Sequence, residues 1–122
     1  MDSILTSIKK LLGIEEEYTH FDADLIMHIN SVLFILAQIG VGPSEGFAIT
    51  GEDETWYNFM PEETLVKVQS IKSYIYAKVR LMFDPPTSTT AMTALKELIA
   101  ELEWRLNITP IPTQIDSEEE LY

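Results

Sequence analysis

The chain contains no cysteine. That excludes disulfide frameworks, thiolate nucleophiles and cysteine-based zinc sites. It has only two histidines, His20 and His28. Neither stands in an HExxH pair, and no serine–histidine–acid order suggests a triad. Its five glycines form neither GxGxxG nor GxxxxGK[ST], so no phosphate-cradling loop is written in the chain. Long apolar runs are missing too. The most apolar stretch, residues 29–39, includes Asn30, Ser31 and Gln38 and is too short to span a bilayer. Met1-Asp2-Ser3-Ile4 lacks the basic segment and apolar run of a secretory leader. The sequence therefore predicts a soluble protein with no membrane association, no cofactor and no catalytic centre.

Positive charge is the other scarcity. Eight Lys and Arg stand against 20 Asp and Glu, for a net charge of −12. Residues 1–60 carry ten acidic and two basic side chains, residues 61–107 six of each, and residues 108–122 four acidic and none basic. A nucleic-acid binder needs a basic face that displaces counterions from phosphates. Only Lys67, Lys72, Lys78 and Arg80 approach one, so a tight grip on DNA is not expected. An acidic surface past which DNA slides is compatible with this balance.

What is present is helical periodicity. With 122 residues, 46% of them hydrophobic, one domain with its own core is expected. Ile4, Leu5, Ile8, Leu11 and Leu12 form a short N-terminal stripe, with Asp2 as a candidate cap and Gly13 as a stop. The acidic run Glu15-Glu16-Glu17 reads as solvated. Asp22 suits the N-cap of a second helix, in which Leu25, Ile29, Val32, Leu36 and Ile39 recur at steps of four and three. Ile26, Leu33 and Phe34 widen that apolar face, so this helix is predicted to pack on more than one side. Asp24 and His28 lie one turn apart, but a catalytic metal needs about three convergent ligands.

Residues 43–60 are irregular. The strand-like content of residues 47–50 and 55–57 around the turn at 51–54 predicts a small β-hairpin. Trp56, Tyr57, Phe59 and Met60 are apolar enough to anchor an interface and equally suited to roofing the chain's own core. Pro61 fits the first position of a long helix running to Phe83. Asp84-Pro85-Pro86 must end it, and Thr87 or Ser88 then caps a third long helix striped by Ala91, Leu95, Leu98, Leu102 and Leu106. Glu97 and Glu101 are one turn apart, but Glu101 also precedes Arg105 by four, which favours a surface ion pair. From Ile108 the prolines and acidic residues predict an extended or flexible C-terminal arm, residues 108–122, apart from a helical domain, residues 1–107. Ile108, Ile111 and Ile115 are candidate contacts with a neighbouring subunit. The expected architecture is all-α: a bundle of three main helices plus a short N-terminal one.

The run Tyr74-Ile75-Tyr76-Ala77-Lys78-Val79-Arg80-Leu81-Met82-Phe83-Asp84-Pro85-Pro86, followed by Glu103-Trp104-Arg105-Leu106-Asn107, resembles the head–tail connector (adaptor) family of long-tailed bacteriophages and prophages. Lys10-Leu11-Leu12-Gly13-Ile14, the stretch Phe21-Asp22 to Asn30, and Ile39-Gly40-Val41-Gly42-Pro43 fit the same pattern. The resemblance covers residues 1–107, and its motifs are structural. It implies a non-enzymatic virion protein of the phage neck, present in the host cytoplasm during assembly. It further implies a ring, twelvefold in the virion, that joins the portal of the DNA-filled head to a downstream neck or tail-completion protein and lets double-stranded DNA pass. On this reading Lys67, Lys72 and Lys78 face acidic residues 15–17 or 52–54 of the next subunit. Two other classes compete: a small acidic regulatory module or DNA mimic that captures a basic partner, and a metal-dependent hydrolase using Asp24, His28, Glu97 and Glu101.

Overall fold

The computed structural model describes residues 2–107. Five helices follow one another: α1 (Ile4–Leu11), α2 (Asp22–Gln38), α3 (Trp56–Phe59), α4 (Leu65–Phe83) and α5 (Thr89–Arg105). The expected all-α bundle is present, with one short helix more than the periodicity predicts. The expected arm with Ile108, Ile111 and Ile115 lies outside the described residues.

The helix ends follow local chemistry, and some differ from expectation. Ser3, not Asp2, caps α1, its hydroxyl accepting the Thr6 N–H at 3.2 Å. Gly13 follows with φ +82°, the left-handed conformation glycine adopts without strain. Asp22 is the first residue of α2 and does not cap it, because its carboxylate is engaged by the Lys9 ammonium at 2.9 Å. Pro61 does not open α4. The helix begins four residues later, where Thr64 accepts the Lys67 N–H at 3.2 Å. Asp84-Pro85-Pro86 ends α4 as expected, and Ser88 caps α5 through the Ala91 N–H.

The β-hairpin predicted in residues 43–60 does not form, and there is no strand among the described residues. Thr55 and Asn58 instead make a reciprocal capping box that starts α3, turning Trp56 and Phe59 into the core on one side of a single turn. Extended pairing survives only as one antiparallel bridge between Ser3 and Thr55. Elsewhere this long loop is held by local backbone turns and by side chains. Asn30 on α2 accepts the Ile49 N–H at 2.8 Å and donates to the Ile49 carbonyl at 3.0 Å. Its amide thus satisfies both backbone groups of a buried residue that no sheet partners.

The core runs through Ile4, Ile8, Leu25, Ile29, Leu33, Leu36, Ile71 and Ile75, all fully buried. Each such side chain contributes about 1.5–3 kcal/mol through removal from water. Helix α4 is the central element, since α1, α2 and α5 all pack on it. Phe83 meets Phe21 at 5.2 Å between ring centroids on the α2 side, whereas the Tyr74 hydroxyl reaches Glu103 on α5. These α4 residues are about two and a half turns apart, so they leave opposite faces of the helix. Helices α2 and α5 therefore flank α4.

Candidate functional site

Trp56, Phe59 and Met60 are buried, and they serve the chain's own core. The Trp56 indole N–H donates to the Ser7 hydroxyl at 3.0 Å, tying α3 to α1. Tyr57 alone of the four points outward.

The basic residues of α4 do not gather into one patch. Lys67 and Lys78 are about three turns apart on one face of α4, whereas Lys72 and Arg80 leave on others. Lys67 lies 3.9 Å from Glu63. Lys72 sits 5.9 Å over the Trp56 ring, within cation–π range, and lines a groove with Lys10, Glu16 and Glu52 of the same chain. Arg80 donates to the Tyr76 hydroxyl and the Asp84 carbonyl, which fastens the end of α4 at the double-proline turn. That scatter is unlike a phosphate-binding stripe.

Asp24, His28, Glu97 and Glu101 do not converge. Among the described residues no group of three or more His, Cys, Asp or Glu could hold a metal ion. His28 stacks edge-on toward Phe83, and Glu101 pairs with Arg105. Glu103 accepts from the Tyr74 hydroxyl at 3.1 Å. Burial, with the nearby Glu103 charge and this bond, raises the Tyr74 pKa well above the ordinary phenol range.

Two of the outer helices also expose large apolar side chains. Helix α2 is hydrophobic nearly all round. Opposite its core residues it exposes Ala23, Met27, Ser31, Phe34 and Gln38, with the exposed carboxylate of Asp24 at the edge of this face. Phe34 is 64% exposed and Met27 58%. Beside Phe34 lies a groove of about 430 Å³ bounded by Asn30, Ala37, Phe47, Ala48 and Glu45. Helix α5 buries only Leu95 and Ile99 fully, and Trp104 is 78% exposed. The breadth of the α2 stripe signals a second packed face in the sequence. Met27 and the groove escape a reading by stripes because they lie on the far side of the helix.

These features define a class: a small all-helical protein whose outer helices expose large apolar side chains, Met27 and Phe34 on α2 and Trp104 on α5. The phage connector protein family matches residues 4–111, and the chain belongs to that family. No curated protein and no solved structure matches. Among the described residues, no helix is long and apolar enough to cross a membrane.

Proposed function

We propose that this protein is a structural head–tail connector of the phage neck. It acts by assembly, with no reaction of its own. Copies form a ring, twelvefold on the virion, beneath the portal of the DNA-filled head. The ring receives the next neck or tail-completion protein and leaves a channel for double-stranded DNA. The observation that carries this reading is the family match over residues 4–111. The surface chemistry supports it. Exposed apolar side chains such as Met27, Phe34 and Trp104 give copies of the chain surface to bury, and head-to-tail contacts close into a ring when the rotation per copy divides a full turn. The net charge of −12 suits passage of DNA without adhesion.

The test is light scattering of the purified protein over a concentration series, with negative-stain imaging, alone and after mixing with portal-bearing, DNA-filled heads. A closed ring, free or seated on the heads, is the expected result. A protein that neither self-associates nor binds the heads overturns the reading and favours the acidic regulatory module.

A further inference from the structure

Helix α5 runs back along α4 after the turn at residues 84–88, and the Tyr74–Glu103 bond sets its register. Helix α5 ends at Arg105, just past Glu103, and Asn107 with φ +60° stops it in the left-handed conformation. It therefore gives out level with residues 70–72 of α4. Helix α4 continues past that point to Leu65, about 8 Å farther at the helical rise. Val66, Ser70 and Tyr74 follow one another at four-residue steps along one side of α4. Tyr74, under α5, is 1% exposed; Ser70, at the end of α5, is half-buried; Val66, beyond it, is 77% exposed, with Leu65 beside it also exposed. The cover of this row fails where α5 stops, although α4 stays apolar at Leu65 and Val66. Ser70 turns its hydroxyl back onto the Val66 carbonyl at 3.1 Å, so a dry cover here strands no donor.

We infer that the segment following α5 in the same chain supplies that cover, laying Ile108 and Ile111 on the bare end of α4. The chain leaves α5 at the edge of the patch. The uncovered length is spanned by about three extended residues, and residues 108–122 follow Asn107. Residues 108–115 carry no charge and include Ile108, Ile111 and Ile115. Pro110 and Pro112 oppose a helical continuation and favour extended chain, which can cross from the end of α5 onto α4. The family match also runs on to residue 111, past the end of α5. Any other occupant competes with a segment tethered beside the patch, whose effective concentration is in the millimolar range for a short link. The docking goes beyond the connector reading and needs no ring.

Because the chain has no cysteine, the test can use introduced pairs in the full-length protein. Val66→Cys is combined with Ile108→Cys or with Ile111→Cys, and Met27→Cys with Ile111→Cys is the control, since Met27 is exposed on the outward side of α2. Under dilute oxidation at least one V66C pair should close a disulfide within a single chain about tenfold faster than the control, as docking raises the local concentration. Closure no faster than the control for both V66C pairs overturns the contact. Mixing the V66C and I111C single variants should give no cross-linked dimer. A dimer formed as fast as the paired variants close assigns the patch to a neighbouring copy's arm, which overturns docking within the chain while leaving the ring reading intact. A second measurement needs no disulfide. Val66→Ser, and Ile108→Ser with Ile111→Ser, should each lower the urea midpoint, and the triple variant should fall no further than the larger of the two changes. Unchanged midpoints, or losses that simply add, also overturn the contact.

Discussion

The Lys9 ammonium lies 2.9 Å from the Asp22 carboxylate, with the lysine side chain 3% exposed and the aspartate 26%. The contact is ionic, and the ammonium gives a hydrogen bond to the Glu16 carbonyl at 2.9 Å. One buried cation thus fastens α1, the intervening loop and the first turn of α2. Asp22→Ala strands that cation and is expected to cost about 3 kcal/mol, as for a broken buried pair. Lys9→Met leaves a carboxylate that reaches water and should cost less. Urea unfolding of the two variants checks the order, and a costlier K9M would contradict it.

Gly42 combines a φ of +91° with a close approach to Phe59. A Cβ there would come within 3.0 Å of the ring Cδ1 and nearer still to Cε1. Gly40 has φ +88° but open space around it. Gly40→Ala should therefore cost only the left-handed backbone strain, about 1–2 kcal/mol. Gly42→Ala adds overpacking and should cost about 1–3 kcal/mol more. Equal thermal midpoints for the two variants would show that the Phe59 ring yields without penalty.

Tyr74 predicts an alkaline loss of stability. Burial first, then the Glu103 charge and hydrogen bond, raise its folded pKa. Its contribution is complete below the unfolded phenol value of about 10. It is lost as pH climbs beyond that, because the unfolded chain ionises while the folded one resists. Tyr74→Phe should flatten the decline in urea midpoint above pH 10 while costing about 1 kcal/mol at neutral pH. Parallel pH profiles for wild type and Y74F would refute the assignment.

Glu54 acts at the other end of the scale. Desolvation raises its pKa, but the hydrogen bonds it accepts from the Thr50 hydroxyl and backbone outweigh that and lower it. Its contribution is present above the ordinary carboxylate range and is lost as pH falls through the lowered folded value. Thr50→Val removes the hydroxyl donor and should move the carboxyl titration upward. Carboxyl NMR shifts across an acid titration measure this directly.

Much of the fold is legible in periodicity, because α1, α2, α4 and α5 each bury a stripe that recurs every three to four residues. The helix starts are less so. Asp22 has the chemistry of a cap, but a lysine thirteen residues earlier takes its carboxylate. Pro61 has the chemistry of a first turn, but Thr64 provides the hydroxyl that begins α4. Residues 47–57 look like a hairpin because aromatic and β-branched side chains suit both a strand and a core lid. The choice is made by the Thr55–Asn58 box and by contacts with α1, neither of which has a period. The family pattern centred on Phe83, Asp84, Pro85, Pro86, Glu103, Trp104 and Arg105 is readable as a string. What it cannot convey is that Phe83 and Glu103 are used inside the chain while Trp104 faces outward.

The amide of Asn30, bonded to both backbone groups of Ile49, has a kinetic consequence. In native-state hydrogen exchange the amide of residue 49 should be the slowest in the middle of the loop between α2 and α3, because those of Gly46 and Thr50 are bonded only within the loop itself. That amide should open only when α2 itself does, because its acceptor is a helix side chain. A slow proton within faster-exchanging backbone would report on α2 from a distance. Its protection factor would rise when a ligand or neighbouring copy covers that helix, even if the contact lies on the helix's far side.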